Sequence, residues 1–159
     1  YQTEWAGALG LPVEIEPTPG LKARLIPPGR FLMGTPADPL EKWIAGEPNA
    51  TARERLRGEA ARPAEVAGPF YLATTETTIA LFRRFVTSHD PPYLTGAERE
   101  GGVGYRLRTD GRWVVEPGPH WQQAGEQPLT DEHPVGNLGR DDCADFCRWL
   151  TRELGGRYE

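Results

Sequence analysis

The segment from His133 to Leu154 constrains the fold of this chain more than any other, because it ends in a strongly amphipathic pattern. Apolar residues recur there at intervals of three and four, which places them on one face of a helix. Gly139 is an acceptable N-cap, and Gly155–Gly156 supplies a C-terminal stop. We therefore predict that a buried strand from His133 leads into a helix with a buried stripe of Cys143, Phe146, Cys147, Leu150 and Leu154.

The composition favours one loop-rich domain. The chain has 159 residues with 19 Gly and 16 Pro and no repeat period, and its aromatic residues argue against disorder. A net charge of −5 gives no reason to expect a nucleic acid or an anionic membrane as partner. No apolar run approaches the roughly 20 residues that span a bilayer. Two cysteines are too few for a disulfide scaffold, so the cellular compartment stays open.

The first part of the chain predicts short strands around proline-rich turns. Residues 1–20 are interpreted as a linker from an upstream segment, with a short helix end, an extended stretch and a turn at Pro19–Gly20. Strands from Leu21 to Ile26 and from Phe31 to Gly34 flank Pro27-Pro28-Gly29, so we expect a hairpin there. Residues 35–65 carry mixed charge and are expected to form a polar surface insertion with at most one helical turn.

The middle of the chain predicts one helix and little other regular structure. Phe70–Leu72 is a strand, and Thr78 is a plausible N-cap for a helix that ends before Pro91. That helix carries one apolar face. Residues 93–127 are expected to be mostly loop, with one short strand at Val114–Val115. The apolar face of the helix consists of Ile79, Phe82, Phe85 and Val86.

Four blocks of the sequence follow one another in the order of motifs from one protein family. LxxIPPGxFxMG is matched between residues 21 and 34, and FYLxxxEVTxxxFxxF between residues 70 and 85. EREGGxG…GxW…W is similar to residues 98–121, and HPVVNVSWDDAxAFCRWL to residues 133–150. On these blocks the chain resembles the formylglycine-generating enzyme family, also called the sulfatase-modifying factor domains.

The chain also departs from the family's motifs. Glu65 stands where the family usually has His, and Gly139–Arg140 replaces a Ser-Trp pair. Thr77 replaces a Val in the second block. The loss of the Trp removes a large packing or pocket-lining side chain.

The resemblance implies an irregular, loop-rich α+β fold of the C-type-lectin-like, sulfatase-modifying factor class. Residues 21–159 would be the N-terminal part of that domain, and the missing C-terminal half would be its partner. It also implies an oxidase that converts the cysteine of a sulfatase-type peptide to formylglycine with O2. The copper held by two cysteines, the calcium sites and all catalytic residues are expected beyond Glu159, so this chain would carry no catalytic residue and no metal ligand.

Two other functions stay open. The chain could be a non-catalytic, lectin-like module that binds a ligand or a protein, since such domains are fused to kinases in some bacteria. Glu65 and Gly139–Arg140 lean towards that reading. It could also be a truncated gene product without function. In either case an isolated half-domain would expose apolar surface, so we expect the 159 residues alone to be molten or prone to aggregation.

Two tryptophans are the candidate substrate-binding residues. Trp113 and Trp121 lie in Gly-rich loops, where rigid aromatic rings often line ligand grooves. The alternative is that both rings pack the loops onto the core.

Other reactive side chains have simpler explanations. Cys143 and Cys147 are interpreted as small buried hydrophobes rather than as a redox or metal pair. His133 is expected to make a structural hydrogen bond. Asp141 and Asp142 suit the positive end of a helix dipole, which explains them without calcium.

Overall fold

The computed structural model describes residues 1–99, 101–123 and 129–156, and it is a mixed α/β structure of short elements joined by loops. This architecture confirms the predicted α+β, loop-rich class. In chain order the elements are α1 (Gln2–Leu9), β1 (Glu14–Thr18), β2 (Leu21–Ile26), β3 (Gly29–Met33), α2 (Ala37–Gly46), α3 (Ala50–Gly58), β4 (Arg62–Val66), β5 (Phe70–Ala73), α4 (Ile79–Thr87), β6 (Gly104–Leu107), β7 (Trp113–Glu116) and α5 (Arg140–Leu154).

The strands form three small sheets, and their pairing differs from the predicted one. A three-stranded sheet has the order β1-β2-β5, while β3 pairs with β4 and β6 pairs with β7. The hairpin expected around Pro27-Pro28-Gly29 is therefore wrong. Instead, β1 and β2 are antiparallel about Pro19–Gly20, where Gly20 has a φ of 83°. Turn chemistry fixes the local bend, but the partner of each strand depends on tertiary pairing that the turn residues do not specify.

The chain divides into two compact units. The first comprises residues 1–13 and 25–72, and the second comprises residues 14–24 and 73–159. In the first unit, β3 and β4 pair from Gly29↔Val66 to Met33↔Arg62. Glu65, at the position where His was expected, forms an ion pair with Arg30 at 3.1 Å.

The polar segment of the first unit is helical, so the prediction of an insertion with one helical turn is wrong. Both α2 and α3 lie within it. Asn49 caps α3, since its side chain accepts a hydrogen bond from Ala52 N at 3.0 Å. None of the described side chains of α3 is buried, and α2 buries only Leu40. An apolar stripe was thus missing from the sequence, and local capping holds this segment instead.

The core of the second unit forms where α4 and α5 pack together. Phe82 and Phe85 are fully buried, and their ring centroids lie 5.2 Å apart. The two helices and their predicted N-caps, Thr78 and Gly139, are confirmed, as is the stop at Gly155 in the left-handed conformation. The core cluster consists of Ile79, Leu81, Phe82, Phe85, Val86, Trp121, Phe146, Trp149 and Leu150.

Two details around α5 correct the sequence analysis. Cys143 is exposed and Cys147 is half-buried, whereas Trp149 is buried. The apolar stripe is centred on Phe146 and Leu150, and α4 covers the side of Trp149 rather than that of Cys143. The predicted strand from His133 is only an isolated bridge between Pro134 and Thr78.

Candidate functional site

The hairpin of β6 and β7 carries an exposed apolar face. Tyr105 lies opposite Val115, and Leu107 lies opposite Trp113. Residues two apart on a strand share one face of a sheet, so all four side chains lie on the same face. Tyr105, Trp113 and Val115 are more than half exposed, and Leu107 is also exposed. The sequence analysis predicted one strand here; the second strand, β6, adds half of this face.

This face accounts for most of the exposed apolar surface in the second unit. Among the described residues of this unit, the exposed large hydrophobic side chains other than Leu94 all belong to the hairpin or precede it directly. Scattered single apolar residues are normal on a protein surface, whereas a contiguous group marks an interaction site. The group consists of Val103, Tyr105, Leu107, Trp113 and Val115.

The opposite face of the hairpin is polar and better covered. Glu116 accepts a hydrogen bond from Arg106 Nε at 2.7 Å and also pairs with Arg108. Val114 is half-buried on this face, and Gly104 is buried. The two faces therefore differ in chemistry, since charge is neutralised on one and apolar area is displayed on the other.

Two glycines bring the start of the hairpin close to neighbouring backbone. A Cβ atom on Gly104 would lie 2.2 Å from the carbonyl oxygen of Pro119, and one on Gly102 would lie 2.4 Å from that of Gly96. No side chain fits at either position. The hairpin is thus held against the loops around residues 96 and 119 by contacts that larger residues would prevent.

The loop at residue 96 is tied to the first turn of α5 by Asp142. This carboxylate is 2% exposed, and it accepts hydrogen bonds from Gly139 N at 2.7 Å, Gly96 N at 3.1 Å and the Tyr93 hydroxyl at 3.0 Å. A buried carboxylate is stable only when its oxygens are paired in this way. Asp142 therefore does more than respond to the helix dipole, whereas its neighbour Asp141 is exposed.

Tyr93 shares its hydroxyl proton between two carboxylates. It donates to Asp142 and to Asp145, the latter at 2.9 Å. Burial, reinforced by these two carboxylates, raises the pKa of the Tyr93 phenol above its usual range. Hydrogen bonding to Arg148 holds the pKa of Asp145 below its usual value. The phenol therefore stays protonated and keeps the loop joined to α5.

The structure places the two predicted substrate-binding residues in different surroundings. Trp113 lies on the exposed apolar face, whereas Trp121 is 4% exposed and packs against Phe82 with 5.4 Å between ring centroids. Substrate binding by either ring stays a prediction. Sequence reasoning missed Tyr105 and Leu107; the alternation of apolar and polar residues from 104 to 107, matched from 113 to 116, was the signal that could have found them.

The described cysteines do not fit the copper site that the family resemblance implies. Cys143 and Cys147 lie on successive turns of α5, one exposed and one half-buried. Desolvation around its thiol, with the nearby Asp142 charge, raises the pKa of Cys143, which disfavours the metal-binding thiolate. Across residues 1–99, 101–123 and 129–156, no cluster of three or more His, Cys, Asp or Glu side chains could hold a metal ion.

His133 makes the structural contacts that the sequence analysis expected. Its Nδ1 lies 3.0 Å from Thr130 N, and its carbonyl oxygen accepts from Ile79 N at 2.9 Å. The second contact joins the segment before α5 to the first residue of α4. Within the described parts of the chain, none of the helices has the length and apolar character needed to cross a membrane.

Comparison with protein families gives one match over most of the chain. The family described as the sulfatase-modifying factor enzyme 1-like domain matches residues 12–159. This chain therefore belongs to that family, which confirms the resemblance drawn from the four sequence blocks. No curated protein matches the chain.

A solved structure supports the same fold. The structure of PvdO from Pseudomonas aeruginosa is similar with a TM-score of 0.54 and 17% sequence identity, over 92% of this chain and 46% of the PvdO chain. At this identity the likeness shows the fold alone. It confirms the predicted fold of the sulfatase-modifying factor class, and this chain spans less than half the length of that relative.

Proposed function

We propose that this chain forms part of a formylglycine-generating-enzyme-like domain and that the apolar face of its β6–β7 hairpin contacts a cysteine-containing peptide. The observation that carries the proposal is the pairing of Tyr105 with Val115 and of Leu107 with Trp113 on one exposed face. A rigid aromatic ring beside aliphatic side chains gives a large contact area at low entropic cost. An extended peptide can lie along such a face, with alternate side chains directed towards it.

The chemical step belongs to residues other than those described. In the family, copper held by two cysteines would supply the activation of O2 for oxidation of the substrate cysteine. Since Cys143 and Cys147 do not fit that site, no step is assigned to them. The contribution proposed for this chain is to bind and orient the peptide.

A non-catalytic binding module is the second candidate. It is favoured by Glu65, which stands in place of the family's usual His and is engaged by Arg30. Both candidates use the same hairpin face for the ligand. They differ in the product, because only the oxidase converts the peptide's cysteine to an aldehyde.

Peptide binding tests the proposal. The protein that carries this chain is titrated into a fluorescent sulfatase-type peptide with one cysteine, and affinity is read by anisotropy. Truncation of an aromatic contact typically costs more than 1 kcal/mol, so W113A is expected to weaken binding roughly tenfold. The matched control is W43A, which removes an equally exposed ring from α2. Equal affinity of W113A and the unmodified protein would contradict the proposal.

Aldehyde formation then separates the two candidates. The same peptide is incubated with the protein, copper and O2, and the product is trapped with a hydrazide and weighed by mass spectrometry. Aldehyde that requires the protein supports the oxidase. Tight binding without aldehyde supports the binding module.

A further inference from the structure

Asn137 has an unusual backbone conformation for a residue with a side chain. Its φ is 53°, and among residues 1–99, 101–123 and 129–156 it is the single non-glycine residue with positive φ. Asn tolerates the left-handed region better than most residues, but glycine occupies it more readily. Since glycines flank this segment at 136 and 139, the retention of Asn here calls for a role of its side chain.

The amide of Asn137 bonds to the backbone of the hairpin and of a neighbouring loop. Its Oδ1 accepts from Tyr105 N at 2.7 Å, and its Nδ2 lies 3.1 Å from Tyr105 O. The same Nδ2 donates to Gln123 O at 2.6 Å and lies 3.3 Å from His120 O. The contacts with Tyr105 repeat those that a neighbouring strand would make.

These contacts fix the strand that carries half of the apolar face. Tyr105 pairs with Val115 on the other strand, so its position sets the hairpin relative to the segment before α5. Only an amide side chain offers both an acceptor and two donors to one backbone site. Asp would replace the donors with an acceptor that faces carbonyl oxygens, and Gln would add a methylene group.

We propose that Asn137 is the positioning residue of the apolar hairpin face. By joining Tyr105 to His120 and Gln123, it holds β6 in the orientation that presents Trp113 and Tyr105 together. The left-handed backbone directs the amide into this contact. Its effect on peptide affinity rests on the function proposed above, whereas its effect on the hairpin does not.

A residue that merely supports the fold would destabilise the core as well. The core cluster between α4 and α5 contains none of the three residues that Asn137 contacts. Loss of the amide is therefore expected to free the hairpin locally. The protection of core amides should stay unchanged.

The test uses N137G, because glycine keeps the positive φ without strain and removes only the amide contacts. Hydrogen exchange by NMR is compared at the Tyr105 amide and at the core amides of Phe85 and Trp149. Loss of a hydrogen bond of typical strength predicts exchange about tenfold faster at Tyr105 and unchanged exchange in the core. The indole resonance of Trp113, assigned through W113F, is expected to shift. N49G, the same substitution at the cap of α3, is the matched control and should alter none of these signals.

Unchanged exchange at Tyr105, or an equal increase at Tyr105 and in the core, would overturn the proposal. N137D adds a second test, since it keeps the acceptor for Tyr105 N but lacks the donors; it is expected to free the hairpin at least as much as N137G. Peptide affinity is measured in parallel. If the unmodified protein fails to bind the peptide, the proposed function fails, and the exchange data still decide the role of Asn137.

Discussion

The two compact units bury their apolar side chains to very different extents. In the second unit, aromatic rings from α4, α5 and Trp121 form one continuous cluster. Among the described residues of the first unit, the buried hydrophobic residues are Ala6, Leu25 and Leu40. The large hydrophobic side chains exposed in the first unit are Tyr1, Leu9, Leu11, Phe31, Leu32, Met33, Trp43, Phe70 and Leu72.

This difference indicates which forces hold each unit. Burial of several aromatic rings contributes several kcal/mol in the second unit. The first unit depends more on backbone pairing of β3 with β4 and on the cap at Asn49. A two-stranded ribbon with exposed side chains is only marginally stable by itself. The second unit is therefore the stable scaffold that displays the hairpin face.

The largest effect is expected from truncation of one phenylalanine in each unit. Phe82 is fully buried and contacts three other aromatic rings, so F82A is expected to lower the free energy of unfolding by about 3–5 kcal/mol. Phe31 in β3 is 49% exposed, and F31A should cost less than about 1 kcal/mol. Urea unfolding followed by far-UV circular dichroism measures both. Similar losses for the two variants would break the comparison.

A smaller effect is expected at the first turn of α5. D142A removes a buried carboxylate and leaves Gly96 N, Gly139 N and the Tyr93 hydroxyl without their acceptor, at a cost of about 2–3 kcal/mol. D141A removes an exposed carboxylate from the same turn and is the matched control, with a change below about 0.5 kcal/mol. Equal stability of the two variants in urea would show that Asp142 does not join the loop to the helix.

The effect of Tyr93 is smaller again and depends on pH. Y93F is expected to lower the free energy of unfolding by about 1 kcal/mol at pH 7, since one donor to two carboxylates is lost. The raised pKa of Tyr93 in the folded state means that its contribution is complete below about pH 10 and declines as pH rises further. The difference in stability between the two proteins should therefore shrink above pH 10. A difference that grows with pH would contradict this assignment.

The smallest effect on stability, but a clear one on solubility, is expected from the exposed side chains of β3. F31S combined with L32S is expected to reduce aggregation of the isolated chain, measured by light scattering, because it removes apolar area from an exposed strand. The matched control is W113S, which alters the hairpin in the second unit. The expectation from sequence that the isolated chain is molten or aggregation-prone stays a prediction, and a cooperative, reversible melt of a monomer would contradict it.

The sequence predicted those parts of the fold in which one short pattern decides the outcome. The spacing of Ile79, Phe82 and Phe85 and the cap at Thr78 defined α4, and the spacing around Phe146 defined α5. The helices α2 and α3 were missed, since polar side chains on all sides of α3 give no periodic signal. The pairing of β3 with β4 was missed because the two strands are separated by those helices.

The candidate site was predicted only in part, for a related reason. Trp113 was identified by residue type, which does not distinguish an exposed ring from the buried ring of Trp121. Burial depends on which loop reaches the core, and that depends on contacts such as those of Asn137 with His120 and Gln123. These contacts join residues distant in sequence, so no local pattern records them.

Hydrogen exchange of the whole chain, followed by mass spectrometry, tests the central comparison most directly. We predict slow exchange in α4 and α5, with protection close to that of global unfolding, and fast exchange in β3 and β4. That result would establish the second unit as the stable scaffold for the hairpin. Equal protection in both units, or fast exchange in α4 and α5, would contradict it.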